Sequence, residues 1–245
     1  MEQKANHAQT WSMRSDTTVP ARPRATAGSG LADLGPIEQL RAGRLGRRLV
    51  QLAVGLALFG VSVALMVDAG LGAMPWDVLH VGVAGNGPLS VGQVIVLASF
   101  VVLLLWIPLR EKPGLGTFAN AVLVGVTADL TLRVLPASND LLWRIPEMLV
   151  GIVLCAAAGA LYIGSQFGRG PRDGLMTGLN RRTGLSLRLV RTGLEVTVVA
   201  LGLLLGGVAG VGTVLYALAI GPLTQLMLPW ATVALPSPDR ARRPD

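Results

Sequence analysis

Charge is scarce in this sequence. Asp, Glu, Lys and Arg together make up 14% of its residues, against about a quarter in a soluble domain. Cysteine is rarer still. Cys155 stands alone inside an apolar block, so no internal disulfide can form, and it reads as a buried, inert thiol. No H-E-x-x-H, C-x-x-C or nucleophile-elbow pattern occurs, and His80 has no partner at metal-ligand spacing. Enzymatic chemistry, a cofactor and a metal centre are therefore not expected.

What fills the chain instead is long apolar runs. Leu49–Val67 is interrupted only by Gln51 and Ser62. Similar blocks cover 91–109, 115–132, 145–164, 189–208 and 211–235. Each approaches the ~20 residues that a helix needs to cross a bilayer. Six spans are expected, and a bacterial cytoplasmic (inner) membrane with its lipid bilayer is the expected environment.

Lys and Arg concentrate in cytoplasmic loops of membrane proteins. Arg41, Arg44, Arg47 and Arg48 precede the first block, and Arg240, Arg242 and Arg243 follow the last. Both termini are therefore expected inside. The first connection, 69–90, has no Lys or Arg and falls outside. Arg110 and Lys112 fall inside, as do Arg169, Arg172, Arg181, Arg182 and Arg188. Arg133 and Arg144 fall outside and form the one exception. The net charge of +7 is thus an orientation signal rather than a nucleic-acid surface. Residues 1–45 read as a disordered, basic cytoplasmic tail without a cleaved signal, with a short basic helix over 40–48, and residues 236–245 as a second tail.

The stretch FGRGPRDGLMTGLNRRTG, 167–184, imitates a phosphate loop. The dinucleotide fingerprint would require glycine where Asp173 stands, and apolar spans flank the loop in place of a βαβ unit. A shift of the chain against itself by 96 residues explains the stretch better. Gly72, Pro75 and Asp77 then meet Gly168, Pro171 and Asp173. Leu89-Ser90 meets Leu185-Ser186, and Gly114-x-Gly116-Thr117 meets Gly210-x-Gly212-Thr213. Two repeats, 46–135 and 145–235, each hold three spans. An odd number inverts the second copy, a plan that recurs in secondary transporters.

The expected fold is an all-α polytopic membrane protein of six transmembrane helices in two inverted-topology repeats. Each repeat is expected to carry a short non-spanning helix after its first span. Pro75 and Pro171 mark the starts of these helices, near 75–85 and 171–181, with Asp77 and Asp173 in their first turns. Gly72, Gly168 and Gly170 permit the tight entry. Ser90 and Ser186 are expected N-caps of the following spans, and Thr117 and Thr213 mark the starts of the third. Gly202, Gly206 and Gly210 suggest small-xxx-small helix packing.

Two readings of the charged positions stay open. Asp77 and Asp173 either cap helices or, with Trp76 and Arg172, flank a substrate or ion site between two half-helix N-termini. Asp129 and Glu195 lie within spans, where ionisable groups are functional candidates by default. Each also has a local partner at helical spacing, Arg133 and Arg191. Asn120, Tyr216 and Gln225 are candidate cavity-lining residues.

The runs Gly72-Ala73-Met74-Pro75-Trp76-Asp77-Val78-Leu79 and Gly170-Pro171-Arg172-Asp173-Gly174-Leu175-Met176 resemble the YczE-type branch of the YczE/YitT family of bacterial membrane proteins. Arg182-Thr183-Gly184-Leu185-Ser186 and Gly206-Gly207-x-x-Gly210-x-Gly212-Thr213 extend the resemblance, which covers 48–228. It implies a polytopic inner-membrane protein and supplies no catalytic residues. The leading functional expectation is a small-solute transporter or exporter with an unknown small solute as partner, no nucleic acid, and room for a homo-oligomer. The alternative is a non-transporting membrane regulatory or scaffold factor.

Overall fold

The computed structural model describes residues 35–136 and 140–235. These residues form nine helices and no strand: α1 Pro36–Arg41, α2 Leu45–Ala69, α3 Pro75–Gly85, α4 Val91–Leu109, α5 Leu115–Leu132, α6 Leu141–Gly164, α7 Pro171–Thr183, α8 Leu187–Leu204 and α9 Val211–Ala231. The tail reading of 1–34 and 236–245 lies outside the described residues. Within the expected basic tail, α1 is already folded, and the chain turns at Gly43 and Arg44 before α2 begins.

Five helices, α2, α4, α5, α6 and α9, are long and apolar enough to cross a membrane. The remaining apolar block, the fifth (189–208), becomes α8, which is 18 residues long and carries Arg188, Arg191 and Glu195. Large apolar side chains face outward all around the molecule, among them Val101 and Leu104 on α4, Val150 on α6 and Leu218 and Trp230 on α9. A water-soluble surface rarely tolerates such a belt, whereas hydrocarbon solvates it.

The short helices begin where the prolines predict. Pro75 and Pro171 occupy the first turns of α3 and α7, and Ser90 and Ser186 cap α4 and α8 by accepting from Gln93 N and Leu189 N. Positive φ angles of 123° at Gly72 and 103° at Gly168 fall in a region open to glycine, which accounts for the tight exits from α2 and α6.

At the centre, α2 and α6 pack antiparallel. A Cβ on Gly55 would lie 2.8 Å from Tyr162 N, and one on Gly151 would lie 2.9 Å from Met66 Cγ, so both glycines allow close backbone approach. Arg48, at the start of α2, donates from Nε to Ser165 O (2.8 Å), Nη2 to Gln166 O (2.8 Å) and Nη1 to Gln39 O (2.6 Å). Its guanidinium also lies 4.3 Å from the centre of the Phe167 ring. Arg144, at the start of α6, donates from Nε to Ala69 O at the end of α2 (2.6 Å). Carbonyls left over at each helix end thus receive a cation suited to the negative end of the dipole. This corrects the expected short basic helix over 40–48, since Arg48 belongs to α2 and its side chain is buried. It also accounts for Arg144, the exception to the expected charge distribution: its side chain caps α2.

The same reciprocity governs the last helix of each half, α5 and α9. Gly116 N donates to Phe167 O and Gly212 N to Leu71 O, both at 2.9 Å. Thr117 Oγ1 donates to Arg169 O and Thr213 Oγ1 to Ala73 O, both at 2.7 Å. Partners in each pair of contacts lie 96 residues apart. Every one of these bonds joins one half of the chain to the other. α3 packs on α8, and α7 packs on α4.

One packing expectation fails. Gly202 to Gly210 do not share a helix face, because α8 ends at Leu204. Gly202 faces α3, where a Cβ would meet Val78 and Leu79 backbone at 2.6 Å. Gly206 has φ 81° and open space around it, so it serves the turn.

A candidate solute site between the two halves

A cavity of about 330 Å³ lies where the halves meet, and every helix from α2 to α9 contributes to its wall. Its charged lining consists of Arg172, Asp173, Arg191 and Glu195. Asn120, Tyr216 and Gln225 also line it, as expected from their positions. Phe59, Ile95 and Ile220 supply an apolar wall.

The first turns of α3 and α7 meet across this cavity. Asp77 is fully buried. Its Oδ1 accepts from His80 Nδ1 (2.8 Å) and lies 3.5 Å from Arg172 Nη2, while Oδ2 has no hydrogen-bond partner. Burial opposes charge on Asp77, but the hydrogen bond from His80 and the Arg172 guanidinium outweigh it and hold the carboxyl below its usual range. Burial pulls His80 down more than Asp77 raises it, so the imidazole is neutral near pH 7. Arg172 also stacks 5.2 Å from the centre of the Trp76 ring. Five of the six candidate residues thus lie at or beside the cavity: Trp76, Arg172, Asp173 and Glu195 line it, and Asp77 pairs with Arg172 behind it.

Neither aspartate makes a side-chain capping bond. Asp173 Oδ2 accepts from the Tyr162 hydroxyl, and Arg172 reaches across to Asp77 instead of serving its sequence neighbour. Glu195 pairs with Arg191 at 2.9 Å, as helical spacing predicts. Asp129 lies elsewhere. It accepts from Ser90 Oγ and from Gly92 N (2.7 Å), so its partner is the start of α4 rather than Arg133.

The quoted arginine-rich stretch proves partly structural. Arg181 Nη2 donates to Leu109 O (2.8 Å) and Arg182 Nη1 to Pro108 O (2.6 Å), capping α4. Trp106, which no sequence pattern singles out, holds the start of α7 by donating from Nε1 to Pro171 O (3.0 Å). Its ring lies so close to Gly174 that a Cβ there would overlap it. Among the described residues, no group of three or more His, Cys, Asp or Glu is placed to hold a metal.

Apolar helices of spanning length, an outward apolar belt and an internal polar cavity define a multi-pass helical membrane protein. The chain belongs to the family of unknown function DUF6198, whose model matches residues 46–229. It is 41% identical to a protein of Haemophilus influenzae over 177 residues, which cover 72% of this chain and 81% of that relative. It is 32% identical to the uncharacterized membrane protein YczE of Bacillus subtilis, with 71% and 82% covered. YyaS of the same organism is 28% identical, with 72% and 90% covered. The resemblance to the YczE type therefore holds. No solved structure matches the chain.

Proposed function

We propose that the protein is a small-solute transporter or exporter of a bacterial plasma membrane, built as two inverted three-span repeats with both termini in the cytoplasm. The cavity between the halves carries this reading. It places polar and charged side chains at the meeting point of two short-helix N-termini, where transporters of this plan hold their solutes. Support for the repeat comes from the antiparallel α2–α6 pair and from the contacts recurring at 96 residues. On this reading α8 also spans the membrane, as the fifth of six spans. Arg191 and Glu195 pair with each other and line the cavity, which lowers the cost of carrying them through lipid.

The test is untargeted metabolite profiling of a deletion strain and its medium. Transport predicts one solute class changed in opposite directions inside and outside the cell, and restored by the wild-type gene. An unchanged profile, with a protein that co-purifies with a partner, would support the non-transporting regulatory or scaffold factor. That alternative draws on the cavity's charges being engaged with one another: Arg172 with Asp77, Tyr162 with Asp173, Arg191 with Glu195.

Topology has its own test. Gly87 and Thr183 are exposed and lie 96 residues apart, and buried Cys155 adds no background label. An impermeant thiol reagent applied to intact cells should label Gly87→Cys and spare Thr183→Cys until the membrane is opened. Equal labelling of both would exclude the inverted plan.

A further inference from the structure

Arg172 is the least committed cation of the cavity. Arg191 is held by Glu195 at 2.9 Å, whereas Arg172 has one ionic contact, to Asp77 at 3.5 Å, and a stacked contact with Trp76. A guanidinium has five N–H donors in a planar fork that matches a carboxylate bidentately. The Arg172 side chain is 27% exposed and lines the cavity, so donors remain for an incoming group. Asp173 and Glu195 share the lining, and their charge disfavours a dianion such as phosphate. Trp76, Phe59, Ile95 and Ile220 suit an apolar body behind the anionic end.

Asp77 sits behind Arg172 with one carboxylate oxygen already lacking a partner. The titratable groups around it are His80 on its own helix, Arg172 on α7, Cys155 on α6 and Tyr216 on α9. No charged residue of α2, α4 or α8 interacts with it among the described residues. Among the described residues Arg172 is therefore its only cationic partner at neutral pH. If Arg172 turned to a ligand, a buried carboxylate would be left without compensation, and such a group neutralises by binding a proton.

The geometry points to a small organic monocarboxylate as the ligand of this cavity, bound by Arg172 in exchange for Asp77, which takes up one proton from solvent as it is released. This rests on the reading of the cavity as a solute site. Charge balances across the exchange. The ligand brings one negative charge to Arg172, the proton cancels the one on Asp77, and no covalent bond other than the new O–H forms. The two events are coupled, and coupling between sites is reciprocal: carboxylate binding promotes protonation, and protonation promotes carboxylate binding.

Titration calorimetry on the detergent-solubilised protein tests this, with acetate and benzoate as probes and benzamide as the uncharged control. Benzoate is expected to bind, more tightly than acetate, and benzamide is not. Benzoate affinity should fall about tenfold per pH unit between roughly pH 6 and pH 8, as the uptake of one proton requires. Arg172→Gln should remove binding, and Arg172→Lys should restore part of it with the same melting temperature as Arg172→Gln. Asp77→Asn should bind at the tight low-pH value throughout, while His80→Gln should keep the pH slope. The proposal is overturned if neither carboxylate binds, if benzamide binds equally, if Arg172→Gln binds normally, or if the slope survives in Asp77→Asn. Carboxylate binding without any metabolite change in the deletion strain would overturn the transport reading and leave this assignment standing.

Discussion

Arg48→Ala should lower the melting temperature of the solubilised protein far more than Arg144→Ala. Both side chains cap the far end of the opposing central helix, but their commitments differ. Arg48 is fully buried and satisfies the carbonyls of Gln39, Ser165 and Gln166. Arg144 is less buried, and its one hydrogen bond runs to Ala69 O. Each buried carbonyl stripped of its donor costs about 1–3 kcal/mol. The loss at Arg48 is thus several times that at Arg144, and the stacking on Phe167 goes with it. Arg48→Lys should fall between wild type and Arg48→Ala, because an ammonium keeps the charge without the planar fork. Equal melting temperatures for the two alanine variants would show that the carbonyls near Arg48 find water instead.

Asp77→Asn should reduce the deletion strain's complemented phenotype to background while the protein still accumulates in the membrane. Asn at this position keeps an acceptor for His80, and the lost interaction of a carboxylate with the helix dipole is worth only about 0.3–1 kcal/mol. What disappears is the charge that faces Arg172 across the two halves. Asp173→Asn should be milder, since the Tyr162 hydroxyl can donate to an amide oxygen as well. Membrane level by immunoblot and the metabolite phenotype, measured together, separate folding from function. Full activity in the Asp77→Asn, Asp173→Asn double variant would remove both carboxylates from any solute or proton role.

Local signals in the sequence were reliable guides to local structure. Pro75 and Pro171 start α3 and α7, Ser90 and Ser186 cap α4 and α8, and the Gly-x-Gly-Thr runs open α5 and α9. These features depend on backbone groups within four residues, so a linear reading can find them. Arg172 shows where that reading stops. Asp173 is its neighbour in sequence, yet the helix projects the two side chains in different directions, and Arg172 pairs with Asp77, 95 residues away. Asp129 likewise takes its partners from the start of α4 rather than from its own helix. Linear reading gives Arg144 only an orientation role and adds to that for Arg48 a place at the end of a basic helix, although the separation of the two is the repeat length. That spacing was the available signal for their shared role. Their targets depend on α2 and α6 lying antiparallel, which no local pattern encodes.

The reciprocal threonine clamps are alike in geometry but not in time. Thr117 closes on Arg169 across 52 residues of chain, whereas Thr213 closes on Ala73 across 140. A ribosome delivers the chain from its N-terminus, at about 5–20 residues per second. The loop leading into α7 therefore finds its clamp already made when it emerges. The loop leading into α3 must wait, its Ala73 carbonyl without this partner, until the start of α9 has been synthesised. The first half of the molecule is thus the last to be locked, and the final helix α9 is what completes it.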